Sequence, residues 1–149
     1  MHIAELLAVN ARKYPDKHAI ITAEGRRSWQ QLHQDSLQLA GWLAQQYRIE
    51  PGDRVALFMP NGYEWVLGYF AAINLGAIVV PINARLAFDE LDYILKDCAA
   101  QVLLSLTSQA ALDQAEATPP CPVLRLDRLD AEHVPDRPHS VPPMQAEMH

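Results

Sequence analysis

Apolar residues recur along this chain at two alternating periods, the mark of helices and strands that take turns. Ile3, Leu6, Leu7, Ala11 and Tyr14 fall at helical spacing, so residues 3–14 are expected to form a helix that Pro15 ends. Ala19–Thr22 and Arg26–Trp29 flank Ala-Glu-Gly, which predicts a hairpin with Gly25 supplying a positive φ. Ser28 stands three residues before Gln31, a capping-box pattern. The helix it starts carries Leu32, Leu39, Leu43, Ala44 and Tyr47 toward a core, and Pro51-Gly52-Asp53 reads as a turn.

Arg54–Met59 follows as a continuous apolar strand. Asn61 is placed to cap the next helix, with Glu64 three residues on, near the helix's positive end. That helix runs to about Leu75, where Gly76 suits a left-handed terminal position. Ala77–Val80 is the next strand. A helix over Phe88–Asp97 presents Leu91, Ile94, Leu95 and Cys98 on one face, and Gln101–Ser105 is a third strand. Strands alternating with helices of this length imply right-handed crossovers and a parallel sheet covered on both faces. The fold class is therefore α/β: a Rossmann-like, three-layer parallel-sheet βαβ subdomain with an N-terminal helix and hairpin.

Beyond Leu106 the pattern weakens, with a short helix expected within Thr107–Ala117 and a short strand at Val123–Leu126. Seven prolines fall in the 32 residues from Thr118 onward, a composition that suits a linker or disordered tail. The expected organisation is thus an α/β subdomain over 1–117 and a proline-rich tail over 118–149.

Half the residues are hydrophobic and 20% are charged, which is ordinary for a soluble globular domain. The net charge of −6 leaves no basic footprint for nucleic acid. Cys98 and Cys121 are isolated thiols without CxxC spacing, so neither a disulfide framework nor a zinc site is expected. Met1 leads directly into an amphipathic pattern, and the default location is the cytoplasm. Trp65–Ile82 is long enough to span a bilayer. Asn74-Leu75-Gly76 interrupts it, however, and a buried helix followed by a buried strand accounts for it better.

In open parallel sheets, ligands bind beyond the carboxyl ends of the strands. Those ends are Pro60-Asn61-Gly62, Pro81–Arg85 and Thr107-Ser108. The two candidate substrate-binding residues are Asn61, where helix N–H groups can receive an anion, and Arg85, whose planar fork suits a carboxylate or phosphate. The plainer roles are that Asn61 caps its own helix and that Arg85 pairs with Asp89 or Glu90. His2, His18, His33, His133, His139 and His149 show no metal-ligand spacing, and no serine sits in a nucleophile elbow. No metal or catalytic residue is assigned. All six glycines lie between Gly25 and Gly76, and the lysines are Lys13, Lys17 and Lys96. A phosphate-cradling loop needs glycines and a lysine together, so no cofactor-binding residue is assigned within these 149 residues.

Four stretches carry a resemblance: SWQQL (Ser28–Leu32), PGDRVALFMPNGYEW (Pro51–Trp65), AINLGAIVVPIN (Ala72–Asn83) and RLAFDELDYILKDCAAQVLL (Arg85–Leu104). In this order and spacing they resemble the opening portion of the AMP-forming acyl-CoA synthetase family, over roughly residues 1–106. Trp29, Gln31 and Ala87 depart from the family pattern, the last where a capping Thr or Ser is usual. The Arg85-Leu86 context leans toward the fatty or aryl acyl-CoA ligase branches rather than peptide-synthetase modules. The resemblance implies that a full-length enzyme uses ATP with Mg²⁺ to make an acyl-adenylate, then passes the acyl group to coenzyme A. The family's glycine-rich phosphate loop, its Tyr-Gly-x-Thr-Glu segment, its ribose-binding aspartate and its C-terminal lysine have no counterpart here. The expectation is an N-terminal fragment, inactive alone, that associates with the remainder of the enzyme or forms a homodimer. The alternatives are a non-catalytic domain that self-associates or binds a partner, and a small-ligand binder using the loops at Asn61 and Arg85.

Overall fold

The computed structural model describes residues 3–23, 25–113 and 118–128. Helix α1 (Ile3–Lys13) leads into strands β1 (His18–Thr22) and β2 (Gly25–Ser28), an antiparallel hairpin. Gly25 has φ 149°, a value that side-chain-bearing residues avoid. Helix α2 (Trp29–Gln46) starts on a complete capping box. Ser28 Oγ accepts the Gln31 N–H at 3.1 Å, and Gln31 Oε1 accepts the Ser28 N–H at 2.9 Å.

Strand β3 (Arg54–Phe58), helix α3 (Tyr63–Asn74), strand β4 (Ile78–Ile82), helix α4 (Phe88–Asp97) and strand β5 (Val102–Ser105) then alternate. A short 3-10 turn at Ala110–Leu112 and strand β6 (Val123–Arg125) complete the described elements. The four long-range strands form one parallel sheet in the order β4-β3-β5-β6. The short strand expected near Val123 is therefore present, paired in register with β5 (Leu103 opposite Val123). The sheet thus extends past residue 117, while 129–149 lie outside the described residues.

Strand alternation divides the core cleanly. Val55, Leu57, Val102, Leu104 and Leu124 face α2 and α3 in one cluster. Ala56, Phe58, Ile82 and Leu103 face Leu91 and Leu95 of α4 in the other. Burying a leucine or valine of this kind contributes about 1.5–3 kcal/mol. Gly68 lets α3 lie close on the sheet, since a Cβ there would stand 3.1 Å from Leu104 Cδ1 and 3.2 Å from Leu57 Cδ2. α1 buries only Ala4, Leu7 and Ala11; it packs outside α2, so Ile3, Leu6 and Tyr14 stay exposed despite their helical spacing.

Two of the boundaries that differ from the sequence expectation bear on the strand ends. β4 continues through Pro81 to Ile82, because β4 is an edge strand where a missing N–H costs no ladder bond on the open side. α3 is capped at Gly62 without any side-chain hydrogen bond, so Asn61 does not cap it and Glu64 sits at the second helical position. Its far end follows expectation. Gly76, φ 72°, donates to Ile73 O, and Ala77 donates to Ala72 O, the paired bonds of a Schellman motif. This break divides the apolar stretch 65–82 into a helix and a strand, and among the described residues no helix is long and apolar enough to cross a membrane.

Candidate functional site

The carboxyl ends of the parallel strands are fastened to one another by side chains. Ser105 Oγ, fully buried on β5, donates to the Phe58 carbonyl at the end of β3. Gln109 Nε2 donates to Ala84 O at 3.1 Å, tying the segment after β5 to the segment after β4. The Thr107 N–H donates to Asp127 Oδ1 at 2.9 Å, and the Thr107 hydroxyl donates to Oδ2. Burial opposes ionisation of Asp127, but the Thr107 bonds and the nearby Arg128 charge outweigh it and hold the carboxyl below its usual range. Arg125 donates to Leu106 O at 2.8 Å and to Asp113 Oδ1 at 2.9 Å.

Beside these ends lies a cleft of ≈ 310 Å³ between the β1–β2 hairpin and the start of α3. Ile20, Thr22 and Arg27 form the hairpin wall, Asn61, Gly62, Tyr63 and Glu64 form the helix wall, and Leu106 contributes from beyond β5. Arg27, Tyr63 and Glu64 also border a second cleft of ≈ 240 Å³, with Asp35, Gln38 and Trp42 of α2 on its far side. Trp42 Nε1 is buried and has no hydrogen-bond partner among the described residues.

Tyr63 is the hinge pin between the clefts. Its hydroxyl donates to Asp35 Oδ2, and the Arg27 guanidinium lies 4.9 Å from its ring centroid, a cation–π contact. Burial first, then the Asp35 hydrogen bond and charge, push the phenol far above its ordinary pKa. Tyr63 therefore remains a neutral hydrogen-bond donor to Asp35 in the physiological range. The groups left for a ligand are the Arg27 cation, the Glu64 carboxylate, the Asn61 amide and the apolar walls.

Asn61 lines the first cleft, where the strand-end rule puts it. Arg85 does not line it. Arg85 is exposed after β4, its N–H donates to Asn83 Oδ1 at 2.9 Å, and the ion pairs among the described residues are Lys96–Asp92 and Arg125–Asp113. The expected pairing of Arg85 with Asp89 or Glu90 does not form. Sequence reasoning passed over Arg27, Tyr63 and Asp35, which lie on three different elements. The one local signal was the basic pair Arg26-Arg27 on a strand, whose alternation sends the two side chains to opposite faces.

Lys13 ends α1, Lys17 lies 4.7 Å over the Tyr14 ring, Lys96 pairs with Asp92, and none lines the cleft. Among the described residues no three His, Cys, Asp or Glu side chains converge on a metal-sized site.

Comparison with known proteins supplies the family. The chain is 44% identical over 75 residues to the long-chain-fatty-acid–CoA ligase FadD13 of Mycobacterium tuberculosis, a match covering 48% of this chain and 15% of that protein. It is 31% identical over 143 residues to a polyketide synthase–nonribosomal peptide synthetase of Aspergillus clavatus, covering 90% of this chain and 3% of that protein. Its fold superposes on the N-terminal domain of FACL13 from Mycobacterium tuberculosis with a TM-score of 0.79 at 28% identity, covering 95% of this chain and 38% of that one. The chain thus spans a small part of the length of the relatives it matches. The sequence profile described as "AMP-binding enzyme" matches residues 7–147, and the chain belongs to that family.

Proposed function

We propose that this chain is the opening part of the N-terminal domain of an AMP-forming acyl-CoA ligase and does not perform the reaction by itself. The observation that carries the reading is the 95% coverage of this chain on the N-terminal domain of FACL13, joined to the 44% identity with FadD13. In the whole enzyme a carboxylic acid and ATP, with Mg²⁺, give an acyl-adenylate and pyrophosphate. Coenzyme A then takes the acyl group and AMP leaves. The whole enzyme is read as a cytoplasmic ligase of fatty acid metabolism. This chain's share is scaffold: a parallel sheet with fastened strand ends, and a cleft at which Asn61 is the candidate substrate contact. Arg85 is a second, separate candidate at the end of β4. The rest of the enzyme is the natural partner of this piece.

The test is acid-dependent pyrophosphate release, with ATP, Mg²⁺ and a panel of fatty, aryl and amino acids. The isolated chain should release none above background, and a longer protein containing it should respond to fatty or aryl acids. Turnover by the isolated chain would overturn the proposed inactivity. A longer protein responding only to amino acids would overturn the ligase branch, in line with the peptide-synthetase match.

A second reading, self-association or partner binding without catalysis, draws on the exposed side chains Ile21, Ile78 and Tyr93. A concentration-independent monomer in sedimentation would remove the self-association form of it.

A further inference from the structure

The parallel sheet ends differently at its two edges. In a parallel ladder, alternate residues of a strand direct their N–H and C=O groups toward the same neighbour. On β4 the Ile78 N–H donates to Asp53 O at 2.8 Å, so Ile78, Val80 and Ile82 bond inward to β3. Val79 and Pro81 then face the open side, and proline has no N–H. Of the five residues of β4, Val79 alone offers an outward donor. A proline on an exposed strand is one of the ways in which an edge is closed to further pairing.

β6, at the opposite edge, carries no such guard. The Leu103 N–H donates to Pro122 O at 2.9 Å, and Leu103 is in register with Val123. Pro122 and Leu124 therefore bond inward to β5, and the N–H groups of Val123 and Arg125 face outward. No strand among the described residues lies beyond β6 to receive them. A charged side chain can also close an edge, but the Arg125 guanidinium is turned back onto Leu106 O at 2.8 Å and Asp113 Oδ1 at 2.9 Å. Both sides of β6 are apolar: Leu124 belongs to the cluster under α2 and α3, and Val123 packs against the cluster under α4. A strand laid beside β6 accordingly needs apolar residues on both of its faces.

We propose that β6 is the docking edge for the rest of the enzyme, which adds an extended apolar strand to the sheet there and leaves β4 unpaired. This rests on the reading of the chain as the opening part of a longer N-terminal domain. The chain covers 38% of the N-terminal domain of FACL13, so most of such a domain has to be accommodated around this piece. Two outward N–H groups on β6 against one on β4 decide which edge receives it.

Residue-resolved amide exchange compares the isolated chain with a longer protein containing it. The Val123 and Arg125 N–H groups should exchange freely in the isolated chain and slow by roughly 100-fold or more in the longer protein. The Val79 N–H should exchange alike in both. Val123→Pro, which gives β6 the guard that Pro81 gives β4, should lower the thermal midpoint of the longer protein more than that of the isolated chain. Equal losses overturn the proposal, as does protection gained at Val79 and not at Val123 and Arg125. A longer protein that turns over fatty or aryl acids while both β6 amides exchange as in the isolated chain overturns it too, and leaves the functional reading standing. Protection already complete in the isolated chain also overturns it, and assigns the edge to a second copy if it is lost on dilution or to this chain's own residues if it is not.

Discussion

The Tyr63 hydroxyl donates a hydrogen bond to Asp35 Oδ2, joining the first residue of α3 to the second turn of α2 across 28 positions of sequence. Arg27 of the hairpin lies over the same ring, so one phenol joins three elements around the cleft. Tyr63→Phe should lower stability by about 1–2 kcal/mol, since a half-buried carboxylate loses a donor. Phenylalanine keeps the ring, so the loss of about 0.5–1 kcal/mol expected from Arg27→Ala should persist in that background and vanish in Tyr63→Ala. Urea unfolding of the single and double variants checks this. An Arg27 effect unchanged by Tyr63→Ala would show that the guanidinium is not held by the ring.

Helix α4 has improvable residues at both ends. Ala87 has the extended N-cap backbone, φ −75° and ψ 165°, but no side chain that can accept a hydrogen bond. Ala87→Ser should stabilise the chain by about 1 kcal/mol. Ala99 occupies the left-handed position, φ 52°, of a Schellman turn whose Ala100 N–H donates to Leu95 O at 3.2 Å. Ala99→Gly should relieve strain of about 1 kcal/mol. The two sites lie at opposite ends of the helix, so the gains should add in thermal melts, and a destabilised Ala99→Gly would contradict the left-handed turn.

At Gly68 two effects oppose each other. Alanine gains about 0.5–1 kcal/mol of helix preference but meets two leucine methyls at 3.1 and 3.2 Å. Gly68→Ala should come out near neutral. Gly68→Val should cost roughly 1–3 kcal/mol by overpacking against Leu57 and Leu104. A valine variant as stable as the parent would mean that α3 stands further from the sheet.

Acidification should weaken the fold through His33. Burial, then the Arg12 charge, hold its imidazole below the ordinary value of 6.5. The folded chain therefore prefers neutral His33, while the unfolded chain takes a proton near 6.5. This contribution is fully present above pH 6.5 and is lost as the pH falls through 6.5 toward the lower folded value. Urea midpoints measured across that range should fall with pH, and less so in Arg12→Gln, which removes the smaller cause. An unchanged slope in His33→Gln would place the acid sensitivity elsewhere.

Most of the element order was legible because it rests on local rules. The capping box at Ser28, the left-handed Gly76 and the uncapped Ala87 are decided within a few residues of backbone. The expected cap at Asn61 failed because Gly62 took the position, a one-residue shift that periodicity does not resolve. Of the two candidate contacts, Asn61 lines the cleft and Arg85 does not, since β4 is an edge strand and its end lies apart from the hairpin. The cleft's own fastening of Arg27, Tyr63 and Asp35 had no motif to announce it.

The sequence by itself determined the alternation of strands and helices, the parallel α/β class and the family, because each follows from short-range periodicity and ordered local motifs. Only the tertiary structure decided the strand order β4-β3-β5-β6 and the membership of Val123–Arg125 in the sheet. It also decided the meeting of Tyr63 with Asp35 across the cleft. These depend on which elements lie side by side, and burial of the two apolar sheet faces sets that through contacts between residues far apart in the chain.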